Sequence, residues 1–352
     1  MTSMQHKFGA LDLIRAGLQD LDRARTLFDE LHNDGIDDDR MRLLLATLEK
    51  ACDPDIALSN LVDIIKVMQS QGKDFTNIIA DENSFVRLIT VLGVSDEMGK
   101  LMRFRPELVE AAANDACESH LYNHEQRRAH VLKSVGADPN DHTMPTASLP
   151  LAEAATALRK TYRKQLAAIM AQDATANDPI EIQPRISTEL SDLADAALEG
   201  ALAIARHEVD GSEHVRFAII GMGKLGAQEL NYVSDVDLIY VVEPADMDTN
   251  GMALSRIGTK IATTLQRVCQ SVIMGVAEPT LWQIDGGLRP EGKDGPLVRR
   301  LESHEAYYEQ WAENWEFQAL LKARPVAGDT DLGQAYMDMT RPFVWTASKR
   351  DN

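Results

Sequence analysis

Asp237 opens an apolar run, Leu238, Ile239, Tyr240, Val241 and Val242, whose composition predicts a strand, and Asp235 stands two positions ahead of it. Side chains two apart in a strand share a face, so this spacing presents both carboxylates together and turns Val236 to the other side. Two adjacent anions need a cation. Hard divalent ions prefer carboxylate oxygens and bridge to substrate phosphates, which makes Mg2+ or Mn2+ the natural partner. Taken alone, an Asp-x-Asp pair is more often solvated charge at a strand end, so a third acid has to decide. Asp285, after Leu281, Trp282, Gln283 and Ile284, would end a neighbouring strand and complete the site. The alternative for Asp285 is a turn aspartate before Gly286 and Gly287.

Upstream, Gly221, Gly223 and Gly226 match a G-x-G-x-x-G pattern after a predicted strand, Val215 to Ile220, with Glu243 at a later strand end. A dinucleotide-binding reading needs a helix of several turns before the second strand, and the stretch from Ala227 to Ser234 is too short for one. It also leaves two aspartates without work. The better reading is a glycine turn whose backbone amides approach a phosphate, with Lys224 adding positive charge. The order glycine turn, short helix, Asp-x-Asp strand is the core signature of polymerase-β-like nucleotidyltransferases.

The elements that must position these groups fall into two halves. The expected organisation is a helical domain over 1–133, a linker over 134–150, and a nucleotidyltransferase domain with flanking helices over 151–340. Leu11, Ile14, Leu18 and Leu21, then Ile56, Leu61, Ile64, Ile65 and Met68, recur at helical spacing in the first half. Ser134 to Pro150 carries the prolines and polar residues of a linker. Helices over 151–172 and 187–207 are expected to precede the chemistry, another over 254–272 to follow the Asp-x-Asp strand, and one or two over 303–323 to close the chain before Pro325. The resulting fold class is α+β, with a small mixed sheet.

Composition removes whole classes of function. The chain has 55 acidic against 36 basic side chains, a formal charge of −19, which opposes nonspecific binding to nucleic acid. No apolar run reaches the roughly 20 residues of a membrane span, and the start lacks the apolar core of a secretory signal. A cytoplasmic protein is expected. The three cysteines, Cys52, Cys117 and Cys269, lack metal-type spacing and read as small core residues. His120 and His124 are four apart, but Leu121 stands where a zincin has Glu, so they read as a surface or packed pair. Asp37, Asp38 and Asp39 read as a helix-start cluster.

The string from Gly221 to Leu238 closely resembles the signature block of the glutamine synthetase adenylyltransferase family. A second block, Leu288 to Val298, and a third, Tyr307 to Asp329, resemble that family's following segments in order and spacing, and the helix from Ser187 to Leu202 resembles the one before the signature. The resemblance covers about Ser187 to Asp329. Members carry two nucleotidyltransferase domains: an amino-terminal copy that removes AMP from an adenylylated tyrosine of glutamine synthetase by phosphorolysis, releasing ADP, and a carboxy-terminal copy that adds AMP from ATP. Met222 and the Glu229, Leu230, Asn231 wording resemble the removing copy. The resemblance therefore implies a truncated form of a longer enzyme, with adenylylated glutamine synthetase, ATP or ADP and phosphate as partners, and a nitrogen-signalling protein as a further one. A noncatalytic module that binds glutamine synthetase or that signalling protein is the alternative.

It also implies roles. Asp235, Asp237 and Asp285 become the catalytic and metal-binding residues, holding Mg2+ or Mn2+. Lys224, Ser234 and the amides near Gly223 and Gly226 become phosphate contacts. Arg289 is a further candidate, since a guanidinium fork suits phosphate oxygens, or else a surface partner for an acid. Glu229 and Asn231 are expected to brace the loop, Trp315 to pack in the core, and Lys322 and Arg324 to reach the nucleotide or cap a helix end. Three positions depart from the family wording: Ala227 replaces a glycine, which is harmless if that residue is helical, and Gln283 and Gly287 replace basic residues around the third acid.

Overall fold

The computed structural model describes residues 8–73, 75, 80–113, 123–246 and 250–346. The chain divides into two compact units, Met1–Leu121 with Arg163–Gln183, and Tyr122–Tyr162 with Pro184–Asn352. The second unit thus takes in 134–150, the expected linker. That segment is tied down within the unit: the Ala147 amide donates to Ala203 O (3.0 Å), and Arg206 donates to Pro145 O (3.1 Å). Its prolines break helix periodicity without making it a spacer.

The first unit is helical. Helices Leu21–Asn33, Asp38–Leu48, Pro54–Ser70, Glu82–Val94 and Asp96–Phe104 each begin at a side chain that accepts from their first-turn amides, namely Asp20, Asp37, Asp53, Asp81 and Ser95. Each such cap is worth about 1 kcal/mol, so part of the acid excess goes into starting helices. The core is apolar, with Leu13, Leu31, Leu44, Leu61, Ile64, Leu88 and Leu92 buried. Of the apolar run expected at the start of the chain, Leu18 is buried while Leu11 and Ile14 are exposed, and the buried position of the first helix, Ala10–Arg15, is Leu13. Cys52 is also exposed, correcting its core assignment; Cys269 is buried, and burial pushes its thiol up to about 12. Cys117 and His120 lie outside the described residues.

The second unit is built on a five-stranded sheet: β1 (Val215–Gly221), β2 (Val236–Pro244), β3 (Ile284–Asp285), β4 (Val298–Arg299) and β5 (Arg324–Gly328). The order is β3-β2-β1-β5, with β4 also pairing β2. β1 runs antiparallel to β2 and β5, whereas β3 and β4 run parallel to β2. An antiparallel β1/β2 pair excludes the dinucleotide-binding unit, whose strands are parallel. The fold is therefore mixed α+β, as the sequence predicts.

Strand alternation divides the apolar residues between two faces. Ala218, Ile220, Ile239 and Val241 form one core with Tyr308, Phe317, Leu332 and Tyr336, which come from helices Leu301–Gln310, Asn314–Leu320 and Thr330–Thr346. On the other face, helix Gly251–Gln270 approaches β2 through Gly258, where a Cβ would meet Val242 at 3.0 Å. Trp315, expected in the core, is half exposed and donates to Glu313; Phe317 is the buried aromatic of that short helix. Helix Pro179–Glu208 runs through Pro184, since Asp178 already caps its start and only one early ladder bond is lost. Among the described residues, no helix is long and apolar enough to cross a membrane.

Candidate metal centre

The sheet brings the three predicted acids together. β2 and β3 pair in the register Val236↔Ile284 and Asp237↔Asp285, so two of the carboxylates are lateral neighbours. Asp235 lies one residue before β2 and is exposed, while Asp237 and Asp285 are half-buried. One oxygen from each of Asp235, Asp237 and Asp285 falls within 4.8 Å of the other two. Burial, then the charges of Asp235 and Asp285, push the Asp237 carboxyl above its usual range, with Lys224 pulling the other way. The repulsion is what a cation would relieve.

Main-chain bonds fix this arrangement. The Met222 amide donates to Asp237 O (2.9 Å), stitching the glycine turn to β2, and Val236 donates to Gln283 O (3.0 Å). The side chain of Gln270 accepts from the Ile284 amide (2.8 Å), which holds the short β3. Asp285 serves two ends at once, because its Oδ1 also accepts from the Gly287 amide (2.6 Å), the turn role weighed against the site role.

Two glycines leave room beside the carboxylates. Gly223 has φ +55°, and a Cβ there would stand 2.6 Å from Asp237 Oδ2; at Gly287 it would stand 2.9 Å from Asp285 Oδ1. Gly226 is different. A Cβ on it would overlap the carbonyl oxygens of Lys322 and Gly221, and its amide donates to Met222 O (3.0 Å). It seats the turn against its neighbours, and its amide, already spent in the one-turn helix Gly223–Gly226, is not the phosphate contact expected of it. Ala227 has φ −80°, so a side chain is at no disadvantage there.

The remaining predicted residues separate into two groups. Lys224 is exposed beside Asp237, and Ser234 is half-buried just ahead of Asp235. Glu229 forms an ion pair with Lys322 (2.7 Å), bracing the loop, and Asn231 is exposed. Arg289 turns inward: its guanidinium donates to Gly286 O (2.6 Å), Lys293 O and Gly295 O. It holds the turn after Asp285, so the phosphate role expected of it gives way to bracing.

A second acidic group has its charge met by side chains. His124, Asp192 and Asp195 also offer ligand atoms within 4.8 Å of one another. Here His124 Nε2 lies 3.5 Å from Asp195 Oδ2, the hydrogen bond to Asp195 raises the imidazole pKa, and Arg324 reaches the same carboxylate. The Arg324 guanidinium thus supplies the positive charge that a metal would bring to this carboxylate.

A small mixed sheet with a glycine turn between its first two strands, an Asp-x-Asp at the head of the second and a third Asp on the parallel neighbour defines a polymerase-β-like nucleotidyltransferase fold. The family model described as "Glutamate-ammonia ligase adenylyltransferase" matches residues 85–339, and the chain belongs to that family. A "Bifunctional glutamine synthetase adenylyltransferase/adenylyl-removing enzyme" of Bifidobacterium longum (strain DJO10A) is 73% identical over all of this chain and 33% of its own length. Proteins of the same description from Cutibacterium acnes (40% identical, 97% of this chain, 34% of theirs) and Streptomyces avermitilis (38%, 97% and 32%) are also similar. The chain spans about a third of the length of the curated relatives it matches.

Proposed function

We propose that this chain is a metal-dependent nucleotidyltransferase unit that removes AMP from an adenylylated tyrosine of glutamine synthetase by phosphorolysis, releasing ADP. The observation that carries this reading is the convergence of Asp235, Asp237 and Asp285 oxygens within 4.8 Å. An all-carboxylate donor set suits Mg2+ or Mn2+, and Gly223 and Gly287 keep side chains out of the space beside two of the three ligands. When bound, the divalent ion would supply charge neutralisation at the α-phosphate and at the departing oxygen.

The chain's own groups do the rest. Asp237, pinned in the ladder, and Asp285 fix the position of the charge, and Asp235 closes the set from the solvent side. Lys224, Ser234 and the Gly223 amide hold phosphate oxygens and orient them. An oxygen of inorganic phosphate attacks the α-phosphorus in line; the new P–O–P linkage makes ADP as the bond from phosphorus to the tyrosine oxygen breaks, and that oxygen takes a proton. Removal, as against addition of AMP from ATP by a partner half, rests on the resemblance of Met222 and Glu229 to Asn231 to the removing copy. A nitrogen-signalling protein is the further partner this reading implies, and the cytoplasm its setting.

The test is incubation with adenylylated glutamine synthetase, phosphate and Mg2+ or Mn2+, using Asp235→Asn as control. ADP is the expected product, lost in the variant. Free AMP would replace phosphorolysis with hydrolysis, and glutamine synthetase binding without either product would favour a noncatalytic module.

A further inference from the structure

The geometry points to Arg324 as a positioning residue for the glycine turn, with Asp195 as its anchor; this rests on the nucleotidyltransferase reading of the Asp235 site. Arg324 opens β5 and is the register partner of Gly221, the last residue of β1. Its guanidinium passes beneath the turn. Nη1 and Nη2 donate to the two oxygens of Asp195 (2.6 and 3.2 Å), Nη2 also donates to Leu225 O (3.1 Å), and Nε donates to Gly226 O (3.3 Å).

The two carbonyls lie at the end of this one-turn helix, where Leu225 O also accepts from the Gln228 amide (3.2 Å), and they stand close behind the leading amides. Carbonyls point toward the end of a helix and amides toward its start. Fixing Leu225 O and Gly226 O therefore fixes the direction of the Gly223 and Lys224 amides, on the side where Gly223 meets Asp237. Main-chain bonds from the Met222 amide to Asp237 O and from the Gly226 amide to Met222 O hold the front of the turn, and Arg324 holds its back.

Asp195 makes the anchor rigid. It is 1% exposed on helix Pro179–Glu208, surrounded along the chain by buried Leu193, Ala194, Ala196 and Ala197. A carboxylate in such a place is costly unless fully paired, and Arg324 and His124 are its partners. Only a planar fork meets a carboxylate and two carbonyls at once; an ammonium, a single point of charge, does not.

Arg324→Lys and Asp195→Asn, made in the full 352-residue chain, separate positioning from mere packing. Three quantities are read: the melting temperature, the Kd of Mn2+–ADP by calorimetry, and KM for phosphate against kcat. Positioning predicts that both variants bind Mn2+–ADP about tenfold or more weakly and raise KM for phosphate, Arg324→Lys more than Asp195→Asn, in the folded protein. Lys66→Met, which breaks an exposed pair with Glu30 in the first unit, should stay within about twofold of the parent in Kd. Lowered melting temperatures with unchanged Kd and KM would overturn the proposal, and so would a parent chain that fails to bind Mn2+–ADP. A parent that binds Mn2+–ADP yet forms no ADP from adenylylated glutamine synthetase would refute the proposed reaction and leave the Kd comparison to judge Arg324. If Arg324→Lys does not fold, Asp195→Asn alone decides, because it keeps the arginine and changes only its anchor.

Discussion

Asp237 and Asp285 lie directly opposite one another in the parallel pairing of β2 with β3, so their Cα atoms are held one strand spacing apart. Strands neighbour at about 4.8 Å, a backbone separation from which side-chain rotation brings two carboxylate oxygens to the roughly 3 Å between adjacent ligands of one ion. A pair of acids placed this way needs no loop to bring its members together.

Replacing Asp237 with Asn should make the metal-free protein slightly more stable and deaf to metal. The carboxyl is disfavoured in its charged form by burial and by Asp235 and Asp285, so a neutral isostere relieves the fold. In the parent, Mn2+ at a hundred times its Kd should add about 2.7 kcal/mol. Differential scanning calorimetry with and without Mn2+ checks both signs; a variant that keeps the metal-induced shift would remove Asp237 from the site.

Gly223→Ala should damage the site more than the fold. Its φ of +55° costs an alanine about 1 kcal/mol, and the new methyl would stand 2.6 Å from Asp237 Oδ2. The expected result is a small loss of stability in urea together with a loss of Mn2+ affinity of at least about tenfold by titration.

Gly226→Ala should do the reverse. The methyl would collide with the main-chain oxygens of Gly221, which is held in the β1/β5 pairing, and of Lys322, in the turn just ahead of β5. A destabilisation of about 3 kcal/mol or more is expected in denaturant titration. A well-folded Gly226→Ala protein with parental stability would show that the turn is looser than described.

His304 should make the second unit sensitive to mild acid. It is 1% exposed between Tyr308 and Tyr336, and burial, followed by the charge of Arg299, pushes its pKa down to about 3. A folded-state pKa below the unfolded value of about 6.5 means the stability it contributes is complete above that value. It is lost progressively as pH falls toward the folded value. Between about pH 7 and pH 5 the loss is roughly 2 kcal/mol, and His304→Gln should flatten that part of the stability curve relative to the parent.

The two parts of the site differ in how far they could be read from the chain. Asp235, Asp237 and Asp285 were legible because a period of two, an apolar run and a third acid before a glycine pair each leave a mark in one dimension. β5 was not: Arg324–Gly328 contains Pro325, which reads as a helix stop, yet an edge strand tolerates proline where no ladder donor is needed. With β5 unseen, Arg324 had no place near Gly226. β4, only two residues long, leaves no period at all. Arg289 looked free for phosphate because nothing local distinguishes a guanidinium aimed at a ligand from one absorbed by its own loop carbonyls. Asp195 did carry a signal, an acid amid Leu193, Ala194, Ala196 and Ala197 on a buried helix, and such a residue calls for a partner before it is passed over as surface charge.

Asp235 stands ahead of the β2 ladder and faces water, whereas Asp237 has its carbonyl engaged by Met222. The two acids thus differ in how far the ladder holds them. If the pair holds a cation as proposed, Asp237 would be the fixed post and Asp235, exposed ahead of the ladder, the arm that adjusts as substrate becomes product. Lengthening the arm by one methylene, as in Asp235→Glu, should be far better tolerated than lengthening the post.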